Sequence, residues 1–247
     1  MPDAGPNFPI ARRAIRIAFG VYRRHPLAVA GVAAVVFAPL ALLDSFVATE
    51  AEDLVTRGGG RAVAGVVLYL GTALLTAGSA VGAGLMHRMV AVDFGGARMT
   101  MREALRSLPK RRILALDLVV SLFVATGGAL GALPGLIVYT LLCLAAPFLV
   151  EQDLGVRAAL ARSVGVTRQH VLVAFLVVTL PVAVEHALLD ALEIFWDFPF
   201  SVLFVAHLVM AVTVLAWVVL VEISLALVLA EPGGDAERAR SALEVGA

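Results

Sequence analysis

The sequence predicts an all-α, polytopic membrane protein with six transmembrane helices and three amphipathic helices at the membrane surface. Three observations predict it. The chain of 247 residues is 61% hydrophobic with mean hydropathy +0.96, where soluble domains hold about 45–50% apolar residues. The apolar residues fall in long runs with few charges, and spanning a bilayer core takes about 20 of them. The basic residues collect in the segments between alternate runs.

The predicted spans are Leu27–Ala48, Ala62–Val90, Ile113–Gly131, Leu133–Val150, Val171–Leu189 and Ser201–Ala230. Backbone groups in lipid must pair within their own segment, so these runs are helices, and the period-two alternation of a barrel is absent. The second and sixth runs exceed the need of a membrane and are expected to tilt or to continue beyond it. The segment before the first run, 26 residues with five Arg, is too long for an ordinary signal-peptide n-region and lacks a cleavage site.

Arginine placement sets the expected orientation. Arg12, Arg13, Arg16, Arg23 and Arg24 precede the first span. Arg98, Arg102, Arg106, Lys110, Arg111 and Arg112 follow the second, and Arg157, Arg162 and Arg168 follow the fourth. The other side has Arg57 and Arg61 among many acids, so the positive-inside rule puts both termini in the cytoplasm. Eighteen of the 19 basic residues are Arg, a bias that with the Ala, Val, Leu and Gly content suggests a high-GC bacterial genome, so the expected location is the bacterial inner membrane. Formal net charge is zero, so no global field draws nucleic acid. The single Cys143 permits no internal disulfide.

Each basic segment is amphipathic. At 100° per residue the five Arg of 8–24 oppose Phe8, Ile15, Ala18, Phe19 and Tyr22. Segments 100–108 and 156–167 repeat the pattern, with Val156, Ala159, Leu160, Ser163 and Val164 apolar in the latter. Such helices lie in the headgroup layer with Arg stems snorkelling to phosphates. IARRAIRIAFGVYRRHPLAVA, from Ile10, also aligns without a gap over GVRAALARSVGVTRQHVLVAF, from Gly155. Arg12 falls on Arg157, Ala14 on Ala159, Gly20 on Gly165, Arg23 on Arg168 and His25 on His170. The expected organisation is one membrane domain of three repeats, about 8–92, 98–151 and 155–231, each an interfacial helix followed by two spans. A short cytoplasmic tail, 232–247, follows.

Glycine stripes at Gly78/Gly82, Ala80/Gly84 and Gly127/Gly131/Gly135 are expected to let helices approach closely, within the chain before between copies. Pro39, Pro134, Pro147 and Pro181 are expected to kink or open spans.

Ionisable residues within spans are functional candidates by default: Asp117, Glu222 and His207, with Glu185 and His186 near an outer end. Asp117 and Glu222 suit a cation relay; the plainer expectation pairs each with an Arg such as Arg88, Arg111 or Arg112. Glu185, His186, Asp190 and Glu193 recur at helical spacing, but one His among acids falls short of a metal site. No H-E-x-x-H, G-x-S-x-G, P-loop or Cys/His cluster occurs, and Ser79, Ser121 and Ser224 have no base at a readable spacing. The expectation is a protein that is not an enzyme and uses neither cofactor nor metal.

APFLVEQDLGVRAALARS, through Pro147, Glu151, Gly155, Ala159, Leu160, Arg162 and Ser163, resembles a signature of the membrane domain of glycerophosphoryl diester phosphodiesterases. Related six-helix bacterial membrane proteins share it. GGARMTMREAL, with Gly96, Arg98, Thr100, Glu103, Ala104 and Leu105, and Leu133-Pro134-Gly135 resemble further parts of that family. The resemblance covers about 85–180. A Trp after the Arg-Ser pair is Val164 here, and no phosphodiesterase domain is present in the sequence. The resemblance therefore implies a membrane domain and no catalytic residues.

At the corner after the fourth span, Glu151 and Arg162 are expected to pair, with Glu103 supplying a further carboxylate to Arg157 or Arg162. This clamp would fix the angle of the interfacial helix. The expected function is to bind or organise lipid, or to support other membrane proteins, through a basic inner-leaflet collar. The collar is Arg12, Arg13, Arg16, Arg23, Arg24, Arg102, Arg106, Lys110, Arg111, Arg112 and Arg168, facing anionic lipid. The alternative is a small transporter or channel using Asp117, Glu222 and His207. Partners would be membrane lipids, with a second copy or another membrane protein open.

Overall fold

The computed structural model describes residues 8–56, 84–86, 101–195 and 200–230, with the side chains of 40, 43–56, 101, 104, 105, 129, 190, 192–195 and 230 excepted. Among the described residues every regular element is helical and none is a strand. In chain order they are α1 (Phe8–Arg24), α2 (Pro26–Thr56), α3 (Met101–Ser107), α4 (Lys110–Ala129), α5 (Ala132–Leu142), α6 (Ala145–Glu151) and α7 (Val156–Thr167). Next come α8 (Val171–Ala174), a π-turn (Phe175–Thr179), α9 (Leu180–Phe195), α10 (Phe200–Met210), a second π-turn (Ala211–Leu215) and α11 (Ala216–Ala230).

Three helical stretches are long and apolar enough to cross a membrane: Ala132–Glu151, Val171–Leu189 and Phe200–Leu229. They coincide with the fourth, fifth and sixth predicted spans. The sixth is 30 residues long, about 45 Å at 1.5 Å per residue, against a hydrocarbon core of about 30 Å. The first predicted span lies within α2, and the third overlaps α4 but overruns its end, Ala129, by two residues. The second, with Gly78 and Gly82, lies outside the described residues apart from 84–86.

The core is organised around α11. It is apolar on all sides, and Ala216 and Val218–Ala226 are all buried, Glu222 and Ser224 among them. A helix apolar all round must be covered all round. α1 covers one side with Ala14, Ile17, Ala18 and Val21, spaced three and four apart, and Tyr22 meets the Trp217 ring edge-on at 6.5 Å. Because α1 packs on α11 while α2 packs on the second π-turn and α10, the chain from Phe8 onward runs antiparallel to the chain ending at Ala230. Alanines at the contact let the two backbones approach, and burial of Ile17 and Val21 adds about 1.5–3 kcal/mol each. This corrects the expected two-sided α1. Ala18 faces protein, whereas Phe8, Ile15 and Phe19 stay exposed beside the arginines.

The α4–α5 hairpin closes on glycine. A Cβ on Gly127 would lie 3.0 Å from the Gly135 Cα, and one on Gly135 would lie 3.0 Å from the Gly128 nitrogen. Gly131 opens α5 at φ 135° and ψ 156°, a region that a side chain rarely enters. The stripe read at Gly127, Gly131 and Gly135 is thus packing within one chain.

Prolines account for two of the irregularities. Pro147 has no N–H to give the Cys143 carbonyl, and its ring crowds that carbonyl. The helix accordingly breaks at Cys143–Leu144, between α5 and α6. Pro181 follows the first π-turn, whose Leu180 N–H reaches the Phe175 carbonyl five residues back. The chain thus widens by one residue just ahead of Pro181, where a simple kink was expected. The second π-turn, at Ala211–Leu215, has no proline. Within it Thr213 donates its hydroxyl to the Val209 carbonyl at 2.6 Å.

Candidate functional site

Two regions concentrate polar chemistry. One is the surface of α1, α3, α4 and α7; the other is a seam of hydrogen-bonded groups inside the long apolar helices.

On the surface, Arg12, Arg13, Arg16, Arg23 and Arg24 are exposed on α1, Arg102 and Arg106 on α3, and Lys110, Arg111 and Arg112 at the start of α4. Arg157, Arg162 and Arg168 are exposed on and just after α7. Helical periodicity divides α1 into three sectors. The buried stripe through Ala14, Ile17, Ala18 and Val21 faces α11. An exposed apolar flank follows, with Phe8 62%, Ile15 40% and Phe19 57% exposed, and then the arginines. Of all these cations only Arg112 is held by an ion pair between described residues, to Asp153 at 2.8 Å. Arg112 also donates to the Asp153 carbonyl at 3.3 Å.

That pair is where the expected clamp needs correction. Arg162 does not pair with Glu151; its guanidinium lies over the Phe148 ring, 5.8 Å from the centroid. Arg157 and Glu103 are both exposed, and no ion pair between described residues joins them. Asp153 takes the left-handed conformation, φ 48°; a short polar side chain tolerates it. Gly155 is extended, φ −72° and ψ 158°, as the first residue before α7. What seats α7 is Ser163, whose buried hydroxyl donates to the Leu141 carbonyl at 2.8 Å, beside the break in the fourth span. Ala159 and Thr167 are buried on the same face, four residues to either side.

The interior seam starts at that break. Tyr139 on α5 donates to Glu222 Oε1 on α11 at 3.4 Å. Thr140 and Thr179, both buried, share a hydrogen bond of 2.8 Å. The Thr140 hydroxyl already gives its proton to the Leu136 carbonyl at 2.7 Å, so Thr179 is the donor of the pair. Cys143 Sγ donates weakly to the Thr140 carbonyl at 3.2 Å. Ser224 donates to the Leu220 carbonyl at 2.7 Å.

Of the predicted intramembrane residues, Glu222 enters this seam. Its partner is Tyr139, where an arginine was the plainer expectation. Asp117 is buried on α4, and no hydrogen bond joins it to Glu222. His207 is buried on α10 with Nδ1 2.9 Å from the Leu203 carbonyl of its own helix. Glu185 is buried on α9; exposed His186 sits 3.8 Å from Glu185 Oε2 and 3.0 Å from the Val182 carbonyl. Among the described residues no three His, Cys, Asp or Glu converge as metal ligands would. Tyr139, Thr140, Thr179 and Ser163 were not singled out as seam residues from sequence. The available signal was a Tyr-Thr pair one turn before the carbonyl that Pro147 frees.

Comparison with known protein families, with curated proteins and with solved structures finds no match to this chain.

Proposed function

We propose that this is a bacterial inner-membrane protein that binds and organises anionic lipid at the inner leaflet and catalyses no reaction. The observation that carries the reading is the three-sector surface of α1. A helix anchored to the core on one face presents an apolar flank and, next to it, five arginines without ion pairs among the described residues. Burying the flank among acyl chains brings the guanidinium groups to phosphate level. Each gains about 1 kcal/mol near an anionic surface.

Six spans fit the exposed stripes. Leu114, Leu118 and Leu122 on α4 and Val184 and Leu188 on α9 recur every four residues, as lipid-facing positions do. The three repeats gain support from packing order. α7 packs on α6, the end of the fourth span, and α1 packs on α11, the end of the sixth. A Cβ on Gly84, near the end of the second, would meet the Leu108 side chain just after α3, at 3.1 Å. Each surface helix thus covers the end of the span pair before it, cyclically. The break points match too, since His25 and His170, aligned in sequence, each separate a surface helix from the next helix. With both termini cytoplasmic, all three surface helices share the inner leaflet. Resemblance to the phosphodiesterase-associated membrane domain agrees with a membrane domain lacking hydrolase chemistry.

The test is lipid retention. Full-length protein purified in neutral detergent is loaded with phosphatidylglycerol or phosphatidylcholine, and bound lipid is counted by native mass spectrometry. Phosphatidylglycerol should be retained preferentially, less so in high salt. Replacing Arg12, Arg13 and Arg16 together by Gln should cut retention on the order of a hundredfold. Equal retention of the two lipids overturns the reading. A small transporter or channel is the second reading, favoured by the Tyr139–Glu222 contact inside apolar helices.

A further inference from the structure

We infer that the break between α5 and α6, together with Glu222 of α11, forms a binding site for a small monovalent cation, a proton or a sodium ion. The inference is independent of lipid binding and requires no transport path.

The argument begins with charge. Glu222 is 8% exposed, and its neighbours Val221, Ile223, Leu225 and Ala226 are buried. A carboxylate in such surroundings is strongly disfavoured unless a positive partner neutralises it. Its one hydrogen-bond partner among the described residues is the Tyr139 hydroxyl, a neutral donor at 3.4 Å, which orients the carboxylate without cancelling its charge. Among the described residues the elements packed on α11 leave that deficit unfilled: α2, through its described side chains, and both π-turns carry no basic residue, and α6 ends in the acid Glu151. The α1 arginines lie on the exposed sector while its buried face is Ala14, Ile17, Ala18 and Val21. Tyr22 sits against Trp217. On α5 the titratable groups are Tyr139 and Cys143, and the further group acting on Tyr139 is the Glu185 carboxyl. None of these brings a positive charge.

The backbone supplies the second half. α5 ends at Leu142, and the last carbonyls of a helix carry its negative dipole end. Pro147 leaves the Cys143 carbonyl without its helical donor. Thr140 and Thr179 add hydroxyl oxygens where α5 meets the first π-turn, and that π-turn packs on α11. What ties the two halves together is Tyr139, one turn before the break and hydrogen-bonded to Glu222; interrupted helices that free carbonyls near a carboxylate inside apolar spans are an arrangement that holds small cations in membranes. Oxygen ligands of this kind suit a hard cation and not a soft metal.

The experiment uses full-length protein in detergent as wild type, Glu222→Gln and Tyr139→Phe. Thermal unfolding is followed in sodium, potassium and choline chloride at matched ionic strength, and from mildly acidic to mildly alkaline pH. A sodium site raises the wild-type midpoint in sodium over choline, and Glu222→Gln loses that rise. A proton site instead lowers the wild-type midpoint as the medium turns alkaline, because the folded state then binds more protons than the unfolded one. Glu222→Gln loses that fall. Tyr139→Phe should keep the fold and weaken whichever response is found several-fold. Identical sodium and pH responses in wild type and Glu222→Gln overturn the proposal. Should Glu222→Gln fail to fold, identical responses in wild type and Tyr139→Phe overturn it.

Discussion

The α4–α5 hairpin and the α6–α7 corner both reverse the chain within a few residues, yet they are held in different ways. The hairpin is backbone against backbone. Gly127 and Gly128 on one arm meet Gly135 on the other so closely that a Cβ on Gly127 or Gly135 would press on the facing backbone at 3.0 Å. The corner is side chain against backbone and ring: Ser163 on the Leu141 carbonyl, Arg162 over Phe148, Arg112 on Asp153. A joint that excludes atoms fails abruptly when one is added. A joint built from several moderate contacts loses each in proportion to its burial.

The largest expected effect is therefore Gly135→Ala. Its Cβ would lie 3.0 Å from the Gly128 nitrogen and 3.1 Å from the Gly128 Cα, and backbone cannot rotate aside as a side chain can. Overpacking of this kind costs about 1–3 kcal/mol, read as a lower thermal midpoint in detergent. Gly128→Ala is the control, since a Cβ there meets nothing within 4 Å. Similar losses for the two variants would show that helix flexibility, and not close approach, makes the hairpin sensitive.

Second is Ser163→Ala at the corner. The serine is fully buried and its hydroxyl donates to a carbonyl beside the break in the span. Removing the donor leaves that carbonyl short of a partner in an apolar setting, at about 1–2 kcal/mol. The measured loss should fall below that of Gly135→Ala and come with faster proteolysis between α6 and α7. If Ser163→Ala is silent, the corner is seated by Ala159 and its apolar neighbours alone.

The same contrast explains what could be read in advance. Helices, glycine contacts and proline breaks depend on one residue's own geometry, so Gly127, Gly135 and Pro147 were legible and the described structure agrees. Amphipathicity of α1 was legible too, but not its division into three sectors. Whether Ala18 faces lipid or α11 depends on a partner about 200 residues away in sequence. The corner shows the limit most clearly. Glu151 and Arg162 carry opposite charge near one another in sequence, and complementary charge suggested a pair. The fold instead sets Arg162 on an aromatic face and gives Asp153 a partner from α4, Arg112, 41 residues earlier. Likewise Glu222 stood out as an ionisable residue in a span. Its partner Tyr139, 83 residues earlier, is one aromatic residue in an apolar run and could be found only through the packing of α5 on α11.

The smallest effect belongs to the ion pair at the corner. Arg112 and Asp153 approach to 2.8 Å, but their side chains are 50% and 83% exposed. Water screens the pair, and holding two mobile side chains together costs entropy, so such pairs contribute about 0.2–1 kcal/mol. The second bond, from Arg112 to the Asp153 carbonyl at 3.3 Å, steadies the turn more than it deepens the well. Arg112→Ala should thus lower the midpoint less than Ser163→Ala does, and added salt should shrink the difference from wild type further. Asp153→Gly separates the two contributions. It removes the carboxylate but gives the left-handed position at φ 48° the residue that adopts it most freely, so its loss should be no greater than that of Arg112→Ala. A salt-insensitive loss in Arg112→Ala exceeding that of Ser163→Ala would reverse the ranking and make the ion pair, not the buried serine, the anchor of the corner.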